Sequence, residues 1–137
     1  MSEAKEKPAT RPIPSPAVTV ESKPFWDAAA EGRFLIKRCT DCGQAHWYPR
    51  AICPFCASEA TVWEESPGEG VIYTYSVMHR SPTGPYAIGY VTLDEGPAVL
   101  TNFVDCDLFK LQIGQKVKVK FQPTEGGGPP APVFTPV

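Results

Sequence analysis

Four things are scarce in this chain, and each scarcity removes a class of function. No run approaches the roughly 18 consecutive apolar residues of a membrane-spanning helix, so no bilayer span is expected. The N-terminus, Met1 to Pro8, has no apolar h-region, so no secretory signal is expected. The thiols are then expected to stay reduced, in a cytoplasmic setting. Net charge is close to nil, −2 at pH 7, which gives no general pull toward polyanions. A usable nucleophile is missing too. Cys106 is the one cysteine outside the motif described below, and Asp105 and Asp107 flank it, which raises a thiol pKa. A surface or packing role is expected for it.

What is abundant is turn chemistry. The 16 prolines and 11 glycines argue against a helical protein, and five prolines fall in residues 1–24 with five more in 123–137. Residues 1–23 alternate proline with small and charged residues, too little apolar surface to offset ordering entropy, and are read as a disordered Pro-rich arm. Such an arm is free to order against a partner. The order of segments is then a helix and metal-binding ribbon over 24–66, a barrel over 67–123, and a Gly/Pro-rich tail over 124–137 that adds a last short strand near Val133 and Phe134.

Four of the five cysteines form two CxxC pairs, Cys39/Cys42 and Cys53/Cys56, with ten residues between them. Two such turns facing each other make a tetrahedral thiolate cage, the geometry Zn²⁺ prefers. Gly43 can take the left-handed conformation that turns a knuckle back on itself, and Pro54 fixes φ within the second. A pair of disulfides is the plainer reading, but a reducing compartment favours metal. Four thiolates close the coordination shell, so the site is structural. Iron fits the same cage, as in rubredoxins. His46, between the pairs, is expected at the surface or behind the ligands, since four cysteines complete the set.

Pro24 to Gly32 reads as a short helix carrying Phe25 and Trp26, which either pack on the chain's own domain or dock on another protein. Residues 33–38 and 61–65 read as ribbon strands. Beyond the turn at 66–70, strands are expected over 71–78, 86–93, 98–104 and 116–121. In the first of these, Val71, Tyr73, Tyr75 and Val77 share one face, read as core. In the last, three lysines alternate with Val117, Val119 and Phe121, and are read as a solvated edge that blocks stray pairing. The class is mainly β: a short N-terminal helix, a rubredoxin-like zinc ribbon and a small OB-fold barrel.

The ordered series of an aromatic-bearing helix, Leu35 to Gly43, Pro49-Arg50, Cys53-Pro54, Gly68 to Ser76, Pro85-Tyr86, Leu93 to Gly96 and Ile113-Gly114 resembles the acyl-CoA-associated zinc-ribbon/OB-fold proteins, formerly a domain of unknown function. The resemblance covers about residues 24–122. It implies a non-catalytic accessory subunit that binds a thiolase-superfamily enzyme (thiolase, synthase or aldolase) or a hydratase, with the barrel as a wall of the acyl-CoA channel. The family's roles lie in lipid metabolism, including steroid side-chain degradation, and in heteromeric complexes. Carried over by position, Cys39, Cys42, Cys53 and Cys56 are the metal ligands. His79 and Arg80, beside the loop between the first two barrel strands, are candidate contacts to the CoA phosphate or adenine. The rival is a single-stranded nucleic-acid module, using Arg33, Lys37, Arg38 and Arg50 with Tyr73, Tyr75 and Tyr90 as stacking groups.

Overall fold

The computed structural model describes residues 12–137; residues 1–11 of the Pro-rich arm lie outside the described residues. Proline and glycine bracket helix α1, Lys23–Ala30: Pro24 sits in the first turn, where its missing N–H costs nothing, and Gly32 (φ 78°) ends it. The Gly32 and Arg33 amides donate back to Ala29 and Ala28, each at 2.9 Å, which satisfies the last carbonyls. Phe25, Trp26, Ala28 and Ala29 are buried.

The helix packs on a three-stranded antiparallel sheet of order β2-β1-β3, with β1 Phe34–Cys39, β2 Ala45–His46 and β3 Thr61–Ser66. Arg38 reaches across from β1 to β3 and holds Glu64 through two hydrogen bonds, at 2.5 and 3.2 Å. Five strands then close a barrel in the order β4-β5-β6-β8-β7: β4 Glu69–Met78, β5 Tyr86–Leu93, β6 Ala98–Phe103, β7 Lys116–Gln122 and β8 Ala131–Pro136. Strand β8 pairs with β7 along its whole length but meets β6 through one parallel bridge, Phe103 to Phe134. Gly89 is required where β5 passes β4, because a Cβ there would lie 2.1 Å from the Thr74 carbonyl oxygen.

Two expectations about the barrel fail for reasons that only closure reveals. The lysine-bearing strand is not an edge: β7 is hydrogen-bonded to β4 on one side and β8 on the other. Its lysines simply point to solvent around a closed wall. Nor do Val71, Tyr73, Tyr75 and Val77 share a face. A bulge between Ile72 and Thr74 absorbs one residue and reverses the alternation. Before it Val71 lies opposite Thr92, and after it Thr74 and Ser76 oppose Tyr90 and Ile88. Tyr73, at the bulge, is 63% exposed, so this aromatic is surface rather than core.

Helix, ribbon and barrel share one apolar core. Phe34 is its keystone: its ring lies 5.8 Å from Phe25, 6.1 Å from Trp47, 6.4 Å from Phe121 and 6.2 Å from Phe134, centroid to centroid. Phe25 is fully buried, and Trp26 is nearly so with its indole N–H donating to the Tyr48 hydroxyl at 2.8 Å. Of the two alternatives for this pair, packing on the chain's own domain is the one realised. The described part of the arm, residues 12–23, is held rather than disordered: the Glu125 amide donates to the Ile13 carbonyl at 2.8 Å, and the Ala51 amide to the Glu21 carboxylate at 2.9 Å.

Candidate functional site

The two CxxC turns are the same backbone device used twice. In the first, the Gly43 amide closes onto the Cys39 carbonyl at 2.9 Å and Cys39 N–H bonds the Gln44 carbonyl at 3.0 Å. In the second, Ala57 closes onto Cys53 at 2.9 Å and Cys53 N–H bonds Ser58 at 2.8 Å. Each first cysteine accepts a further amide on sulfur, from Cys42 and from Phe55, both at 3.4 Å. Gly43 and Ala57 both stand at positive φ, 78° and 65°. Glycine holds that conformation without strain and alanine does not. Ala57→Gly should therefore raise stability by about 0.5–1 kcal/mol, read as a higher denaturant midpoint with an unchanged slope. Ala57 follows Cys56 as Gly43 follows Cys42, so the matching position was visible in the sequence.

The four Sγ atoms lie within 4.8 Å of one another. Across the knuckles Cys39 faces Cys56 at 3.6 Å and Cys42 faces Cys53 at 3.7 Å. Sulfurs at the corners of a zinc tetrahedron with bonds of about 2.3 Å stand roughly 3.8 Å apart, so the donor set fits a metal. A disulfide needs about 2.05 Å and does not fit these distances. The electrostatics agree. The Cys42 amide holds the Cys39 thiol down to about 7, while Cys56, although the Ser58 amide favours its thiolate, is pushed up to about 12 by the Cys39 sulfur and by burial. Four thiolates so close need a cation. These four residues can hold a metal, and with all four corners taken no position is left for a substrate.

His46 is not at the surface. It is 4% exposed, and neither ring nitrogen has a hydrogen-bond partner among the described residues. Burial, then the Lys37 ammonium, pushes its pKa below the ordinary value. It lines a cleft of about 200 Å³ between the second knuckle (Pro54, Phe55) and the β5–β6 turn (Pro97, Ala98). Lys37 is itself buried, with its ammonium 3.2 Å from the Thr61 hydroxyl and 4.5 Å above the Trp63 ring. Cys106 packs half-buried against the core, and burial with Asp105 and Asp107 raises its thiol pKa. His79 and Arg80 sit together where β4 runs into the following loop, and the His79 ring stacks on Phe109 of the turn Leu108–Lys110.

The barrel's outer wall is the other notable surface. Val71, Tyr73, Ile88, Tyr90 and Leu100 are large and exposed on neighbouring strands β4, β5 and β6. Apart from Glu69, these three strands carry no charged residue. No helix among the described residues is long and apolar enough to cross a membrane.

A closed thiolate cage on a three-stranded ribbon, fused to a five-stranded closed barrel, defines a metal-ribbon/OB-fold protein. Residues 26–62 match the family described as "ChsH2, rubredoxin-like zinc ribbon domain", and residues 63–122 match "ChsH2, C-terminal OB-fold domain". A solved structure described as "Ltp2-ChsH2(DUF35) aldolase" aligns with a TM-score of 0.76 and 31% identity, over 88% of this chain and 98% of that one. The "DUF35 domain-containing scaffold protein" of Methanocaldococcus jannaschii is 37% identical over 92 residues, 62% of this chain and 64% of that protein. A "probable enoyl-CoA hydratase alpha subunit" of Thermomonospora curvata is 33% identical over 108 residues, 76% of this chain. The chain spans only 34% of that subunit's length. The chain belongs to the ChsH2-like DUF35 family of zinc-ribbon/OB-fold proteins.

Proposed function

We propose that this chain is a non-catalytic accessory subunit that binds an acyl-CoA-processing enzyme, of the thiolase superfamily or a hydratase, and helps form its acyl-CoA channel. The observation that carries this reading is the exposed, uncharged wall of β4–β6. Exposed large apolar side chains on paired strands mark a protein contact, and Ile88, Tyr90 and Leu100 supply the anchors, with Tyr90 directly opposite Leu100. The relatives named as scaffold proteins, and the fold's occurrence in an aldolase complex, support it. So does the chemistry: the one cysteine outside the cage has a raised pKa, and the cage has no open corner. Cys39, Cys42, Cys53 and Cys56 are assigned as ligands of a structural zinc, which would fix the ribbon against the barrel. Thiolates kept for metal suit a reducing, cytoplasmic compartment. A nucleic-acid module is disfavoured because the ribbon cations it would use are engaged, Arg33 with Glu31, Arg38 with Glu64, and Lys37 buried beside Thr61 and Trp63.

Affinity purification from the native host should bring down a thiolase-like or hydratase-like chain in near-stoichiometric amount. Leu100→Glu should remove that partner, because it places a charge in a desolvated contact, yet leave the isolated chain's melting curve unchanged. Recovery of this chain alone, or a partner indifferent to Leu100→Glu, would overturn the assignment of the wall.

A further inference from the structure

The barrel rim carries an aromatic pair that a docking wall does not account for. His79 lies at the end of β4 and Phe109 in the short turn between β6 and β7, thirty residues on in sequence. Their rings stack at 5.1 Å with planes 30° apart. Both residues are exposed, Phe109 by 59%, even though each ring stacks on the other. The turn holds Phe109 outward: the Asp107 carboxylate accepts the Phe109 amide at 3.1 Å and the Lys110 amide donates to the Asp107 carbonyl at 3.0 Å. The other loop is pinned too, with the Gly84 amide on the Ser81 carbonyl at 3.1 Å and the Ser81 hydroxyl on the Gly84 carbonyl.

The charges beside the rings complete the pattern. Each ring's chain neighbour is a cation, Arg80 and Lys110. Neither has a carboxylate partner among the described residues, whereas Arg33, Arg38 and Lys120 all do. The Asp107 carboxylate, the nearest acid in sequence, is engaged by a backbone amide. An open aromatic face takes a planar base by stacking, and unpaired guanidinium and ammonium groups take phosphate.

We propose that His79 and Phe109 form a stacking platform for the purine base of a phosphorylated nucleoside, with Arg80 and Lys110 receiving its phosphates. Resting on the functional reading above, the ligand is the adenosine-phosphate end of an acyl-CoA, held at the rim while the acyl arm continues toward the partner. Phe109 and Lys110 are the new elements, and they lie on a different segment from the two positions the sequence suggested.

The test is a titration of the ¹⁵N-labelled full-length chain, carrying its metal, with adenosine 3′,5′-bisphosphate. Adenosine, inorganic phosphate and oligo-dA serve as comparison arms. Shifts should be confined to residues 79–85 and 107–111. Stacking of one base predicts that Phe109→Ala weakens binding about tenfold or more. Arg80→Gln should weaken the bisphosphate but not adenosine, and Leu100→Glu should change neither. Absence of shifts at about 10 mM ligand, beyond the range of any specific site, overturns the proposal. So does binding of phosphate alone that ignores Phe109→Ala. Oligo-dA binding that tightens with length and spreads over β4–β6 overturns it in favour of nucleic acid. Partner recovery is scored separately. Loss of nucleotide binding with the partner retained removes this site only, and nucleotide binding without a partner removes the accessory-subunit reading only.

Discussion

Cys39→Ser is expected to yield a chain that no longer retains a metal, melts far below the wild type and, on the proposed function, fails to assemble with a partner enzyme. Cys39 is fully buried, its carbonyl and amide both close the first knuckle, and its sulfur takes the Cys42 amide at 3.4 Å. Losing one of four thiolates opens the shell and leaves three anionic sulfurs without full compensation. Structural zinc contributes on the order of 10 kcal/mol in small ribbons and fingers, comparable to the whole stability of an ordinary domain. The expected loss is therefore most of the folding free energy. Zinc content by mass spectrometry under native conditions, with a thermal melt, checks it. Acid should act in the same direction, because protons compete for every thiolate as pH falls and the ion is released. Normal stability and normal partner recovery in Cys39→Ser would remove the structural role.

Phe34→Ala is expected to cost about 3–5 kcal/mol, the usual range for truncating a buried aromatic. Its consequence should be global. Phe34 touches the helix through Phe25, the inter-knuckle loop through Trp47, and the barrel through Phe121 and Phe134. All three tryptophans, Trp26, Trp47 and Trp63, precede the barrel strands, so tryptophan fluorescence reports the helix and ribbon alone. Amide exchange on β5 and β6 reports the barrel. One shared core predicts that both probes shift together and by the same amount. A loss seen by fluorescence but not by barrel exchange would mean that the two parts are stabilised independently.

The parts of this structure that were legible in the sequence are those whose cause is local. A cage of four thiolates writes itself as two CxxC pairs, because each knuckle is a closed turn of a few residues. Strands β5 and β6 announce themselves by alternation, with Ala87, Val91 and Leu93 inward and Ile88 and Tyr90 outward. What stayed hidden depends on contacts made far along the chain. The bulge beside Ile72 takes Tyr75 and Val77 off the outer face of Val71 and Tyr73 and sets Thr74 and Ser76 there, through pairing with β5 that nothing within β4 encodes. The lysine strand reads as an edge until β8 pairs with it. His46 reads as a residue at the surface or behind the ligands, and the Lys37 and His46 pairing of β1 and β2 buries it. The His79–Phe109 stack joins two loops that only barrel closure brings together.

The single parallel bridge between Phe103 and Phe134 has a further meaning when the chain is considered in the order it is made. Phe34 is synthesised early, but one of its neighbours, Phe134, is 100 residues downstream at a ring distance of 6.2 Å. Strand β8 is also the stave without which β6 and β7 cannot be joined into a closed wall. The nascent helix and ribbon therefore leave the ribosome with an unfinished apolar face, and the barrel stays open until residues 131–136 have emerged. The shared core is complete only when β8 has joined it.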